Sequence, residues 1–146
     1  LIVAPAVRAA AAVHAGWRGT MAGVVAVAVK VLCNDLGLCP ADMQVALGPA
    51  IGGCCYEVDR TVGEELVKRW GAMPGAWCPD GSQGWLDLRA ANRAMLVELG
   101  VLEDRIELVG PCTSCACDRF FSHRRSGGHA GRQLSFVGWV PEAGRE

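Results

Sequence analysis

The sequence has almost no net charge: 14 basic against 15 acidic side chains leave −1 over 146 residues. That removes the electrostatic footing for binding nucleic acid or an anionic membrane surface. Long apolar runs are missing too. Arg8, His14 and Arg18 interrupt the Ala- and Val-rich opening, so no stretch reaches the ~18–20 residues of a membrane span. Gly16-Trp17-Arg18-Gly19 stands where a signal peptide needs its apolar core, so the opening residues are not expected to be one. The sequence shows no repeat, low-complexity tract or linker, and this predicts one domain over 1–146. There is no Ser-His-Asp spacing, Walker loop or zinc-protease motif. Eight cysteines are about 5% of the chain, below the ~8–10% of a disulfide scaffold, and a chain that is 51% apolar needs no staples. The expectation is reduced thiols in a cytoplasmic protein, although the even count leaves an oxidised state open.

What is present reads as alternating elements. Residues 9–13 are an apolar run predicted to be a buried strand ending near His14, and strand ends are common ligand sites. Thr20 starts a helix through about Leu36 with Gly37 as its stop, apolar on every face and so predicted to be buried. Residues 43–47 read as a strand and 48–58 as a glycine-rich loop. Asp59 caps a helix to Trp70, residues 71–84 form a Gly/Pro-rich loop, Asp87 caps a helix over 88–99, and 106–109 is a short strand. The C-terminal part reads as a hairpin, with arms at 119–124 and 132–140 and a turn through Ser126-Gly127-Gly128. The expected class is α+β (mixed α/β). The chain opens on Leu1, and Leu1-Ile2-Val3 reads like the middle of a buried strand, which predicts that this is a piece of a longer protein.

Four clusters carry candidate chemistry. His14-Ala15-Gly16-Trp17-Arg18-Gly19 places an imidazole that suits metal or base work beside a guanidinium that suits phosphate or carboxylate. Its plainer reading is a satisfied core histidine with a snorkelling arginine. Cys112-Thr113-Ser114-Cys115-Ala116-Cys117 overlaps C-x-x-C with C-x-C, but no second C-x-x-C supplies a fourth zinc ligand, so inert thiols in a loop are favoured over metal or redox pairing. His123, Arg124, Arg125, His129 and Gln133 bracket a turn that suits a polar or anionic small molecule, or is a solvated tip. Cys54 and Cys55 are adjacent, and from an extended backbone at most one of them can face a pocket.

Taken together, His-Ala-Gly-Trp-Arg-Gly at 14–19, Gly-Pro-x-Ile-Gly-x-Cys-Cys-Tyr-Glu-Val at 48–58, Leu86-Asp87-Leu88 with Asn92, Cys112-Thr113, Phe-Phe-Ser-His-Arg-Arg at 120–125 and Gly131-Arg132-Gln133 resemble the YfiH, or laccase-domain, family. The resemblance implies a layered α-β-β-α domain, incomplete here at the N-terminus, and an enzyme that splits adenosine, inosine and methylthioadenosine with phosphate, with some adenosine deamination. It implies a catalytic zinc held by two histidines and one cysteine, of which His14 matches the last. The other two belong to Gln-Val-His-Gly and Thr-Ala-Asp-Cys motifs that this sequence does not contain. A zinc-bound water would serve deamination, whereas phosphorolysis needs an anion pocket. Within that resemblance His14 and Arg18 are the candidate catalytic residues, His14 the metal ligand, and Cys55, Arg124, Arg125 and Gln133 the candidate substrate contacts. The older family name implies copper-dependent phenol oxidation, for which three histidines are too few. A non-enzymatic module stapled by the 112–117 thiols is a further alternative. Gly53 replaces a usual proline and His129 a common lysine. Oligomeric state is left open.

Overall fold

A computed structural model describes residues 1–140, so the last six residues of the expected domain lie outside it. Seven strands form two sheets. The larger contains β1 (Ile2–Ala4), β2 (Ala9–Ala11), β3 (Gln44–Leu47) and β7 (Ile106–Leu108) in the order β2-β1-β3-β7. β1 pairs antiparallel with both neighbours, Ile2 facing Ala11 on one side and Val45 on the other. β3 and β7 run parallel, Leu47 opposite Leu108, so their carboxyl ends open onto the same edge. The opening residues do form the strand expected of them. β2 stops at Ala11, short of the expected Val13, and leaves residues 12–16 as the loop that carries His14.

The smaller sheet has the order β4-β6-β5, from β4 (Glu57–Asp59), β5 (Trp77–Asp80) and β6 (Gln83–Leu86). β5 and β6 are an antiparallel hairpin in a stretch expected to be mostly loop. Its two-residue turn has Gly81 at φ +57°, a conformation that favours glycine. The indole of Trp77 lies against Gly63 and Gly84, where any β-carbon would collide with it, so both glycines are required by packing.

Four helices complete the fold, which is mixed α/β as expected: α1 (Trp17–Ala22), α2 (Val24–Leu36), α3 (Arg60–Trp70) and α4 (Leu88–Glu98). The single helix expected over 20–36 is two helices, starting three residues earlier and broken at Gly23. Gly23 sits at φ +74° with the Trp70 indole against the face where a β-carbon would stand, and that indole donates to Met21 O at 3.1 Å. The break is therefore set by a distant aromatic side chain. α4 starts where its cap is written: Asp87 Oδ1 accepts from the Arg89 and Ala90 amides at 2.9 and 3.0 Å. Asp59 stands before α3 but makes no such bond.

One core joins the elements, with Ile2, Met43, Val45, Leu66, Leu86 and Leu96 all nearly solvent-free. The expected C-terminal hairpin does not form. Residues 122–128 coil into successive turns, with Ser126 N donating to Ser122 O and Gly128 N to His123 O, and no strand occurs between 109 and 140. The alternation that suggested the second arm is real, but Leu134 (87% exposed) and Phe136 (81%) meet no partner strand. No described helix is long and apolar enough to cross a membrane.

Candidate functional site

The carboxyl ends of β3 and β7, the loop after β2 and the first turn of α4 converge on an open cleft of about 820 Å³. This is where parallel strands commonly present ligands. His14 lines it with its ring exposed, so the imidazole is not packed among aliphatic neighbours. Gly16 makes this possible: a β-carbon there would stand 3.1 Å from His14 Nε2. Behind the loop, Asn92 on α4 donates to Thr20 Oγ1 at 2.9 Å and to Leu88 O at 2.6 Å, while the Thr20 hydroxyl donates to Ala15 O at 3.2 Å. Asn92 thus ties α4 to α1 directly beneath the His14 loop. Its Oδ1 is buried without a partner, an unmet acceptor at the cleft wall.

Of the other expected contacts, Gln133 reaches the cleft and also donates from Nε2 to Phe121 O at 2.9 Å. Arg124 lies over the Tyr56 ring at 4.8 Å and donates to Glu57 O at 2.6 Å. Burial pushes the Tyr56 phenol above its usual range, and the guanidinium groups of Arg124 and Arg18 pull it back. Arg18 itself lies over the Trp17 ring at 4.6 Å, and neither it nor Arg124 is among the residues lining the cleft. Arg125 is engaged differently, donating to Thr113 O, Ser114 O and Phe120 O at 2.7, 3.0 and 2.8 Å and so tying the 113–120 loop to the turn after it. Arg89, which the sequence reading passed over, lines the cleft and donates to Gly110 O at 2.7 Å. Its signal was its position two residues after the Asp87 cap, at a helix start that faces the strand ends.

Cys55 belongs to a second centre. The Sγ atoms of Cys54, Cys55, Cys112 and Cys115 all lie within 4.8 Å of one another and could hold a metal ion. The expectation that adjacent thiols cannot share a pocket assumed extended backbone. Instead the Cys55 and Tyr56 amides both donate to Gly52 O at 3.0 Å, closing a turn that projects both thiols to one side. The C-x-x-C supplies two of the four thiols, and the other two, Cys54 and Cys55, come from about 60 residues away. Burial acts to raise the Cys112 thiol, but amide hydrogen bonds from Gly52, Cys115 and Ser114 outweigh it and bring it down to about 6. Its thiol neighbours Cys55, Cys54 and Cys112 push Cys115 up to about 12. Around His14 the outcome is the reverse: among the described residues no set of three donors that includes it converges on one point. These residues alone do not fit a catalytic metal at His14, which needs three protein ligands.

Residues 1–140 match the family model described as multi-copper polyphenol oxidoreductase laccase. The chain belongs to that family. It is 40% identical over 139 residues to purine nucleoside phosphorylase YlmD of Geobacillus stearothermophilus, an alignment spanning 93% of this chain and 50% of that protein. It is 37% identical over 126 residues to adenosine deaminase RL5 of an unknown prokaryotic organism, covering 85% of this chain and 48% of that one. The crystal structure of the Bacillus licheniformis hypothetical protein YfiH superposes with a TM-score of 0.77 at 36% identity, over 87% of this chain and 48% of that structure. The chain spans about half the length of these relatives.

Proposed function

We propose that this laccase-family protein is a purine nucleoside phosphorylase, with adenosine deamination as a second activity. The observation that carries the reading is the exposed His14 imidazole on the cleft at the strand ends, in a chain 40% identical to a protein of that name. In phosphorolysis a phosphate oxygen bonds to the ribose C1′ while the bond from C1′ to the purine nitrogen breaks. The base leaves with that electron pair and takes up a proton. Arg18, over the Trp17 ring, and Arg124, over the Tyr56 ring, are the donors assigned to phosphate, where planar guanidinium groups pair with two oxygens at once. Gln133 and the Arg89 guanidinium are the polar groups that front the nucleoside. Arg125, bound to three carbonyls, holds the loop that carries its neighbours. A zinc at His14 belongs to the proposal only with donors beyond the described residues, so no step is assigned to it. Phenol oxidation by copper is disfavoured by the donor set, because no described cluster joins the three histidines.

The test is phosphate-dependent release of hypoxanthine from inosine and of adenine from adenosine. The expected result is release that requires phosphate and is abolished by His14→Ala. Unchanged release in that variant would remove His14 from the reaction. Arg124→Gln is expected to raise KM for phosphate more than KM for nucleoside.

A further inference from the structure

The four-thiol cluster does not include His14, and it adjoins the cleft through residues Gly48 to Ala50 and Arg89. Its two chain segments are far apart in sequence but follow the carboxyl ends of paired strands: Cys54 and Cys55 lie in the turn beyond the cleft-lining loop after β3, Cys112 and Cys115 in the segment after β7. We propose that Cys54, Cys55, Cys112 and Cys115 bind one zinc ion as a tetrathiolate, which ties the loop over 48–56 to the C-terminal segment.

Three independent features support it. The first is size. Four sulfurs about 2.3 Å from a zinc ion form a tetrahedron with edges of about 3.8 Å. Cys54 Sγ and Cys55 Sγ stand 3.7 and 3.4 Å from Cys115 Sγ, and every pair lies within 4.8 Å. A disulfide would need a bond of about 2.05 Å, far shorter than either of those separations.

The second is preorganisation of the chain. Each pair of thiols sits on a tight turn closed by backbone hydrogen bonds: Tyr56 N to Gly52 O in one, and Ala116 N to Cys112 O in the other, both at 3.0 Å. Thr113 N donates to Ala50 O at 3.0 Å, locking the turns together before any ion is present. The Gly52 amide donates to Cys112 Sγ at 3.3 Å, an N–H···S bond that orients the buried sulfur as outer partners orient metal ligands.

The third is charge and softness. Four thiolates around Zn²⁺ leave two net negative charges, and two guanidinium groups lie alongside. Arg125 is bonded to the carbonyls of Thr113 and Ser114, between the two cysteines of the C-x-x-C, and Arg89 is bonded to Gly110 O with its other nitrogen close to Gly52. An all-sulfur donor set selects zinc or another thiophilic ion over magnesium or calcium. Loading is a proton exchange without electron transfer: each thiol that is still protonated loses its proton to buffer as its sulfur binds the ion.

Cobalt(II) is the probe, added to the full chain prepared metal-free under reducing conditions. The expected result is one equivalent bound with a thiolate-to-cobalt charge-transfer band and the visible absorption of tetrahedral cobalt, bleached by one equivalent of zinc. The spectrum is expected to persist in His14→Ala and in Cys39→Ser and to be lost in Cys115→Ser, whose side chain is exposed and contributes little to the core. Cys115→His, which keeps a fourth ligand, is expected to restore binding with a weaker charge-transfer band; this separates ligand loss from misfolding. The proposal is overturned if the parent chain gives no such spectrum, if the spectrum survives Cys115→Ser, or if it depends on His14. It is equally overturned if thiol counting without reductant finds two cluster thiols missing as a disulfide.

Discussion

Helix α4 and the segment that follows β7 border the same cleft, yet they are held in place by different forces. α4 buries Leu88, Ala91, Met95 and Leu96 in the common core and is closed at its start by the Asp87 carboxylate. The segment over 109–140 has no strand or helix and contributes Cys112, Thr113 and Ser122 as its buried residues. Its order comes from donated hydrogen bonds, with Arg125 reaching three carbonyls and Gln133 a fourth. Apolar packing is cooperative with the whole molecule, whereas a side chain bonded to loop carbonyls secures only its own neighbourhood. The cleft therefore has one wall anchored in the core and one wall that is locally adjustable.

The sharpest test of that contrast is Leu96→Ala, which removes a completely buried side chain and is expected to cost about 2–5 kcal/mol in chemical denaturation, with both walls unfolding together. Arg125→Ala is expected to cost less, about 1–3 kcal/mol, and to speed amide exchange over 110–128 while leaving α4 protected. If Arg125→Ala exposes α4 amides as strongly as Leu96→Ala does, the two walls are one unit and the contrast fails. The smallest effect is a titration at the junction. Tyr56 is the only tyrosine in the chain, so phenolate absorbance reports it alone. Its folded pKa is raised above 10, so the stability it contributes is full below the unfolded value near 10 and is lost as pH rises through the folded one. Arg124→Gln removes an opposing charge and is expected to move the titration higher still; no movement would place Arg124 away from the phenol.

The same contrast explains what could be read from the sequence. α3 and α4 fall close to their expected bounds because periodicity is a local signal, reinforced for α4 by the Asp87 cap, and the strand at Leu1-Ile2-Val3 announced itself by composition. The cut at Gly23 could not be read, because it depends on Trp70 arriving from α3. The β5–β6 hairpin was hidden by its own Gly and Pro content, which serves a turn and the bed of Trp77. The C-terminal hairpin failed for the opposite reason: period-two alternation without a partner strand is not a sheet. At the site, His14 and Gln133, singled out from the sequence, line the cleft, whereas Arg89 and the thiol pairing between Cys54-Cys55 and the C-x-x-C needed the fold. Spacing along the chain cannot reveal a contact 60 residues away.

The interruption at Gly23 also decides which changes the cleft feels. α1 is tied to α4 through the Asn92–Thr20 hydrogen bond and packs on α2, whose outer face exposes Val27, Val31 and Leu36. Those three solvent-facing positions can vary without disturbing the imidazole, whereas Val25, Val29 and Leu32 on the inner face of the same helix are fixed by the core.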